Sequence, residues 1–156
     1  MRQAAIVALI TLAMLSPAEA TEQGHHANSV STFLGVTGEG RRQRVGTIGL
    51  EYERRLGEHW AIAPAIEYEF GELNFSVVTL SVGYRFHNWA VLAGPGIEWA
   101  KHEHSERSAT EREFLFRTGV MYEFEAGESI VAPHAIVDFV ADEKAMVFGV
   151  TRGFGF

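Results

Sequence analysis

Histidines and serines are the residues of this chain whose side chains could support hydrolysis, but their spacing does not. A hydrolytic site needs a nucleophile within hydrogen-bond reach of a base that a third group orients. His134 is followed by Ala135 and Ile136, which supply no nucleophile. The serines with strand-like surroundings have no histidine at a matching spacing (Ser76, Ser81 and Ser129). We therefore expect no catalytic residues and no enzymatic activity.

Two histidine runs could contribute ligands to a metal site. They are His102-Glu103-His104 and His25-His26. A metal site needs three or four ligands in a fixed geometry, and histidines in loops or tails are usually only hydrated. No glycine-rich phosphate-binding motif is present, and the chain has no cysteine. We expect neither a metal nor a cofactor.

Charged residues are the third chemical feature, because many of them fall on the side of the chain that otherwise holds small residues. Charges in a narrow interior are costly unless they pair. We expect Arg85 and Arg117 each to bridge several carboxylates. His134 falls on the same side and could donate to Asp138 or Glu98. The surplus of acids implies water, bound cations or protonated carboxyls. The predicted network comprises Glu51, Glu67, Arg85, Glu98, Arg117, Glu123 and Asp138.

The elements that must position these residues are β-strands. From Val78 to Phe86 every second residue is large and apolar, and the residues between them are threonine, serine, glycine and arginine. This period of two is typical of a strand with one apolar face. The pattern recurs along the chain and predicts an all-β fold, an eight-stranded antiparallel up-and-down transmembrane β-barrel. The predicted strands are Ser29–Gly38, Val45–Leu56, Trp60–Phe70, Phe75–Phe86, Trp89–Ala100, Glu113–Phe124, Ile130–Val140 and Ala145–Phe156.

The predicted connections are tight on one side and longer on the other, as in bacterial outer-membrane barrels. The longest, Lys101–Arg112, is polar and without alternation, which indicates a hydrated loop and the most exposed contact surface for lipopolysaccharide or a partner. Three predicted strands carry an internal proline, at Pro64, Pro95 and Pro133. Because proline lacks an N–H group, we expect bulges or missing ladder bonds there.

The first 20 residues have the pattern of a cleaved signal peptide. Arg2 precedes an apolar run, and Ala18-Glu19-Ala20 has the small-x-small form of a cleavage site. We expect residues 21–28 to be a periplasmic lead-in and residues 29–156 to form one barrel domain. The formal net charge of −7 argues against nucleic acid as a partner.

The size of the apolar side chains decides which strand face points outward. An eight-stranded barrel has an interior only just wide enough for side chains to fill, so it cannot hold the many aromatic rings of the apolar face. We expect that face to meet lipid, with a soluble, lipocalin-like barrel as the minor alternative. Aromatic residues near the strand ends predict two interfacial belts. The belt residues are Trp60, Phe86, Trp89, Trp99, Tyr122 and Phe124.

Arg152 departs from this sorting, because it shares the apolar face with Val150 and Phe154. An arginine in the middle of a lipid-facing strand costs about 2–4 kcal/mol. We expect either a bulge near Gly153 that turns Arg152 inward, or a side chain that reaches the membrane interface.

The C-terminal segment FGVTRGFGF ends on Phe156, with Phe154 two residues earlier. It resembles the C-terminal signal by which outer-membrane barrels are recognised for assembly. Together with LSVGYRF, LGEHWAIAP and AGPGIEW, it makes the chain similar to the small outer-membrane β-barrel superfamily, near the membrane domain of outer membrane protein A. The resemblance covers roughly Ser29–Phe156. It implies insertion by the barrel assembly machinery into the outer membrane of a Gram-negative cell, in contact with lipid bilayer and lipopolysaccharide.

This resemblance is specific for architecture and weak for activity. We expect a monomer with a structural or interaction role and a polar interior filled by side chains. The alternatives are a narrow cation-preferring pore and a lipid A-modifying enzyme. Enzymes of the deacylase type use a histidine and a serine two residues apart, which the chain lacks. Enzymes of the palmitoyltransferase type use loop residues, and no ordered triad follows from the spacing of His102, His104, Ser105 and Ser108.

Overall fold

The computed structural model describes residues 27–39, 44–70, 74–102, 109–141 and 143–156. The strands are β1 (Asn28–Glu39), β2 (Arg44–Arg55), β3 (Trp60–Phe70), β4 (Asn74–Phe86), β5 (Trp89–His102), β6 (Ala109–Tyr122), β7 (Phe124–Ala126), β8 (Ser129–Val140) and β9 (Glu143–Gly155). The predicted signal peptide at 1–20 and most of the predicted lead-in at 21–28 lie outside the described residues.

The strands close into one antiparallel barrel. Consecutive strands pair from β1 to β6, β8 pairs with β9, and β9 pairs with β1. β6 and β7 both pair with β8 in one register, since Met121 faces His134 and Phe124 faces Val131. They are therefore two segments of a single barrel strand. The predicted eight-stranded antiparallel up-and-down barrel is confirmed.

The register fixes the stagger of the barrel. Following paired residues once around the barrel from Asn28 leads back to β1 at Gly38, ten residues further along. Strand number and stagger together set the strand tilt, which is typically about 35–45° in such barrels. At about 3.3 Å per residue, tilted strands of this length span roughly 25–30 Å along the barrel axis.

The ladder of hydrogen-bonded pairs is interrupted beside each of the three prolines. Two residues of each strand are unpaired between β2 and β3 at Pro64, and two between β4 and β5 at Pro95. Two are also unpaired beside Pro133, and this gap separates β6 from β7. The register is the same on both sides of every gap. Of the two expected forms of disruption, the structure has missing pairs and no bulge at these positions, because only the proline N–H is lost.

Among the glycines of the described residues, Gly94, which precedes Pro95, leaves the least room for a side chain. A methyl group at Gly94 would overlap the carbonyl oxygen of Leu80 and lie 2.6 Å from Cα of Ser81. We expect Gly94→Ala to push β4 and β5 apart and to lower the free energy of unfolding by about 1–3 kcal/mol. Urea unfolding followed by tryptophan fluorescence measures this loss.

Gly83 is the matched control, because it also faces the interior and lies on β4, one of the two strands concerned. A methyl group there would meet only Val91 O at 3.8 Å and Ala61 Cβ at 3.9 Å, which are ordinary contacts. Gly83→Ala should leave stability unchanged or raise it slightly, by about 0.4–1 kcal/mol. Equal losses for both variants would contradict a steric cause at Gly94.

The predicted loop Lys101–Arg112 is shorter in the structure, because both flanking strands continue into it. Lys101 pairs with Thr110 and Trp99 with Arg112, so the connection between β5 and β6 covers residues 103–108. Strand pairing there depends on main-chain bonds, which a polar sequence without alternation can also make. The polar composition therefore hid the extension of both strands.

β9 is regular around Arg152, and the predicted bulge near Gly153 is wrong. Arg152 faces Thr32 on β1 and Val131 on β8, in registers that stay constant through Gly153. A one-residue insertion would have shifted one of those registers. The Arg152 side chain is exposed on the outer face of the barrel, near the end where β9 finishes.

Candidate functional site

The outer face of the barrel is apolar and the inner face is polar. We define the lower end as the end where β1 begins and β9 finishes, and the upper end as the opposite one. Leu80, halfway along β4, is 51% exposed on the outer face, and Leu50 and Ile66 are exposed to a similar extent. Their neighbours on the inner face, such as Thr79 and Ser81, are buried. A water-soluble barrel would show the opposite arrangement.

Aromatic side chains on the outer face are concentrated at the two ends. Trp60 packs edge-to-face on Tyr84, and Trp89 on Tyr122, each pair with ring centroids 5.0 Å apart. The structure places the predicted belt residues on the outer face: Trp60, Phe86, Trp89, Tyr122 and Phe124 at the lower end, and Trp99 at the upper end. Phe154 and Phe156, the predicted assembly signal, are exposed at the lower end.

Arg117 on β6 is the centre of an upper ionic cluster inside the barrel. Its Nε and Nη2 donate to Asp138 Oδ1 and Oδ2, both at 2.7 Å. Nη2 also donates to Glu67 Oε2 at 2.8 Å, and Nη1 contacts Glu67 Oε1. Arg117 is only 3% exposed, and both carboxylates are buried. The bidentate pairs tie β3, β6 and β8 together across the interior, and the cluster has one more negative than positive charge.

Arg85 on β4 is the centre of a lower ionic cluster. Its Nη1 donates to both carboxylate oxygens of Glu53, at 2.8 and 2.6 Å, and its Nη2 contacts Glu123 Oε2. Arg55 adds a second positive charge, with Nε 3.5 Å from Glu53 Oε1 and Nη2 3.9 Å from Glu123 Oε2. Two guanidiniums therefore face two carboxylates, so the charges of the lower cluster balance.

The structure separates the predicted network instead of joining it. Glu67, Arg117 and Asp138 meet in the upper cluster, and Arg85 and Glu123 in the lower one. Glu51 lies on the inner face of β2 between them, two residues from Glu53. Glu98 lies at the upper end, where it lines a cavity together with Glu113 and Glu143. Glu53 and Arg55, which the sequence also places on the inner face, complete the lower cluster.

Phe33 is the interior residue that the sequence reasoning missed. It lies on the inner face of β1 and is buried, with its ring 5.8 Å from the His134 ring in an edge-to-face contact. The ring occupies space above Gly35 and Gly149, where side chains would collide with it. The signal was present in the sequence, because Phe33 falls among serine, glycine and threonine on the small-residue face of β1.

His134 pairs with Thr151 instead of a carboxylate, so the expectation that it donates to Asp138 or Glu98 is wrong. Its Nε2 lies 3.0 Å from Thr151 Oγ1, and Thr151 Oγ1 donates to the carbonyl oxygen of Ala132 at 3.4 Å. The buried Nδ1 has no hydrogen-bond partner in the described part of the chain. A hydroxyl and an imidazole thus meet here, but no third group orients the imidazole as a catalytic base requires.

The interior is open at both ends and packed between them. A cavity of about 310 Å³ at the lower end is lined by Arg55, Arg85 and Glu123 among others, and one of about 390 Å³ lies at the upper end around Glu98. Between them a space of about 20 Å³ beside Glu51 has room for about one water molecule. The larger buried apolar side chains of the interior include Phe33, Val77, Leu92, Leu115, Met121, Ile136, Val140 and Val147.

The described residues contain no group of three side chains that could hold a metal ion. The predicted candidates His25, His26, Glu103 and His104 lie outside the described residues, as do Ser105 and Ser108. In the same described ranges, no helix is long and apolar enough to cross a membrane.

Solved structures with the same fold include small bacterial barrels. The N-terminal β-barrel domain of OprF from Pseudomonas aeruginosa gives a TM-score of 0.64 at 14% identity, over 85% of this chain and 100% of that one. Ail, the attachment invasion locus protein of Yersinia pestis, gives 0.59 at 15% identity, over 83% and 96%. Neisserial surface protein A gives 0.59 at 9% identity, over 83% and 96%.

No family model and no curated protein sequence matches the chain. At 9–15% identity the three likenesses show the fold, and the resemblance to the small eight-stranded outer-membrane barrels is confirmed at that level.

Proposed function

We propose that the chain is an integral outer-membrane β-barrel protein of a Gram-negative cell, with a structural or interaction role and an interior closed by side chains. The observation that carries the proposal is the distribution of side chains, apolar outside and charged inside. Leu50, Ile66 and Leu80 would be a large exposed apolar surface in water, whereas in a bilayer they meet acyl chains. The barrel height of roughly 25–30 Å suits such a bilayer.

The proposed surroundings of the protein follow from the same arrangement. The outer-face aromatic residues at both ends suit the two membrane interfaces. The solved structures with this fold include proteins named as outer-membrane proteins. We propose lipid bilayer and lipopolysaccharide as the contacts of the outer face, the barrel assembly machinery as the partner of Phe156, and a monomeric state.

A narrow cation-preferring pore is the second candidate, favoured by the carboxylates at the upper end. Glu98, Glu113 and Glu143 line that cavity and would attract cations. The packed interior below stands against it, since a permeating ion would have to pass the Arg117 cluster and the ring of Phe33. A lipid A-modifying enzyme has less support, because the hydroxyl–imidazole pair of Thr151 and His134 is buried inside the barrel.

Gel mobility tests the principal proposal. We expect the protein to fractionate with the outer membrane and to migrate faster in SDS gels before heating than after heating, because a closed barrel resists SDS until it is heated. Isolation of the chain as a soluble periplasmic monomer would overturn the proposal.

Planar-bilayer recording separates the two candidate functions. The wild-type protein in a planar bilayer should show no conductance steps if, as we propose, side chains close the interior between the two end cavities. Cation-selective steps from the purified protein would favour the pore instead.

A further inference from the structure

Arg152 on β9 is a cation on the apolar outer face that has no carboxylate partner among the described residues. Arg152 lies near the lower end, four residues before the end of the sequence. β9 pairs with β8, and the start of β8 lies beside Arg152. An arginine on a lipid-facing surface is tolerated where its guanidinium reaches the membrane interface and donates to a hydrogen-bond acceptor. The structure supplies one neutral acceptor and leaves the rest of the guanidinium available.

The guanidinium is held in a defined direction. Its Nε donates to Ser129 Oγ at 3.2 Å, and Ser129 Oγ donates in turn to the carbonyl oxygen of Ala126 at 3.0 Å. Ser129 is the first residue of β8, so this bond draws the side chain down toward the lower end of the barrel. Thr32 Oγ1 donates to the carbonyl oxygen of Arg152 at 3.3 Å, which fixes its backbone as well. Within the described part of the chain, Nη1 and Nη2 make no hydrogen bond.

The surroundings of Arg152 are apolar. Val131 faces Arg152 on one side and Phe124 on the other, and it is 1% exposed although it points outward. The side chains of Arg152 and Phe124 therefore cover it, which places the stem of the arginine flat on the barrel wall. Phe154, two residues further along β9, is exposed beside them. The result is a cation with one free edge, formed by Nη1 and Nη2, set at the lower border of an apolar surface.

We propose that Arg152, held in position by Ser129, binds the phosphate of a glycerophospholipid in the membrane leaflet at the lower end of the barrel. The free guanidinium edge offers two parallel N–H donors, the geometry that matches phosphate oxygens. The acyl chains of the same lipid would lie on the apolar face above, beside Val150 and Phe148. This inference rests on the proposed membrane location of the barrel.

Lipid titration in detergent tests the site. Phosphatidylglycerol is added to the full mature protein in dodecyl maltoside micelles, and bound lipid is counted by native mass spectrometry. We expect Arg152→Gln to weaken phosphatidylglycerol binding by about tenfold, the effect of losing one charge-assisted pair. Ser129→Ala, which frees the guanidinium but keeps its charge, should weaken binding by less, because Ser129 acts as a positioning residue.

Arg54→Gln is the matched control, since Arg54 is another exposed arginine on the outer face at the lower end. It should change phosphatidylglycerol binding less than twofold. Equal losses for Arg54→Gln and Arg152→Gln would mean attraction by net charge alone and would overturn the site. Inorganic phosphate should not displace the lipid, and displacement by phosphate would assign the site to a free anion instead.

The gel-mobility assay keeps this inference separate from the proposed function. If wild type and Arg152→Gln both show the faster unheated band and bind phosphatidylglycerol equally, the lipid site is wrong while the membrane barrel stands. If the wild type is a soluble protein without that band, the proposed function fails first.

Discussion

Replacing Arg117 by methionine is expected to lower the free energy of unfolding by about 3–5 kcal/mol. The substitution removes the guanidinium that bridges Glu67 and Asp138 and leaves both carboxylates buried without a cation. The cost of uncompensated charge in a poorly hydrated interior exceeds the loss of the two bidentate pairs themselves. Urea unfolding of the protein in phosphatidylcholine vesicles, followed by tryptophan fluorescence, measures the change.

Two further variants show whether charge is the cause. The triple variant Arg117→Met, Glu67→Gln and Asp138→Asn has no charge left to compensate and should recover much of the loss. Arg112→Met removes an exposed arginine from the upper part of β6 and should cost less than about 1 kcal/mol. A loss below about 1 kcal/mol for Arg117→Met would show that the upper cluster is hydrated and contributes little.

Leu80→Arg is expected to lower the free energy of unfolding in vesicles by about 2–4 kcal/mol. Leu80 lies halfway along β4, faces Pro64 in the middle of β3, and is exposed on the outer face. If that face meets acyl chains, a guanidinium there must either lose its hydration or draw water into the bilayer. The measurement is again reversible urea unfolding in vesicles.

Phe86→Arg is the depth control for Leu80→Arg. Phe86 is the last residue of β4 and is exposed on the same face at the lower end. A charge near the interface costs only about 0–1 kcal/mol. If the outer face were in water, both substitutions would have small and equal effects, because surface substitutions change stability by about 0.5 kcal/mol or less.

The strands of this barrel could be predicted because their signal is local. The alternation from Val78 to Phe86 can be recognised without knowing any other strand. The start of the second strand of a tight hairpin then follows from the end of the first. Which face of the strands points outward followed from the size of the aromatic rings compared with the width of the barrel interior. The upper ends of β5 and β6 were missed because the sequence from Lys101 to Arg112 is polar and carries no alternation.

The sequence predicted that arginines inside the barrel pair with carboxylates, but it did not predict which residues form each pair. Arg117 meets Glu67 and Asp138, whereas Arg85 meets Glu53, because the stagger of the barrel brings those positions to the same depth. Stagger is a property of the closed sheet, and no single strand contains it. The same limit explains why His134 finds Thr151, the side chain that the register brings beside it on β9.

The stagger of ten residues also determines the thickness of bilayer that the barrel fits. A larger stagger would tilt the strands further and shorten the apolar band, and a smaller one would lengthen it. With the tilt usual for such barrels, the barrel is roughly 25–30 Å tall. In the proposed membrane, hydrophobic mismatch would therefore disfavour bilayers whose hydrocarbon core is much thicker than about 30 Å.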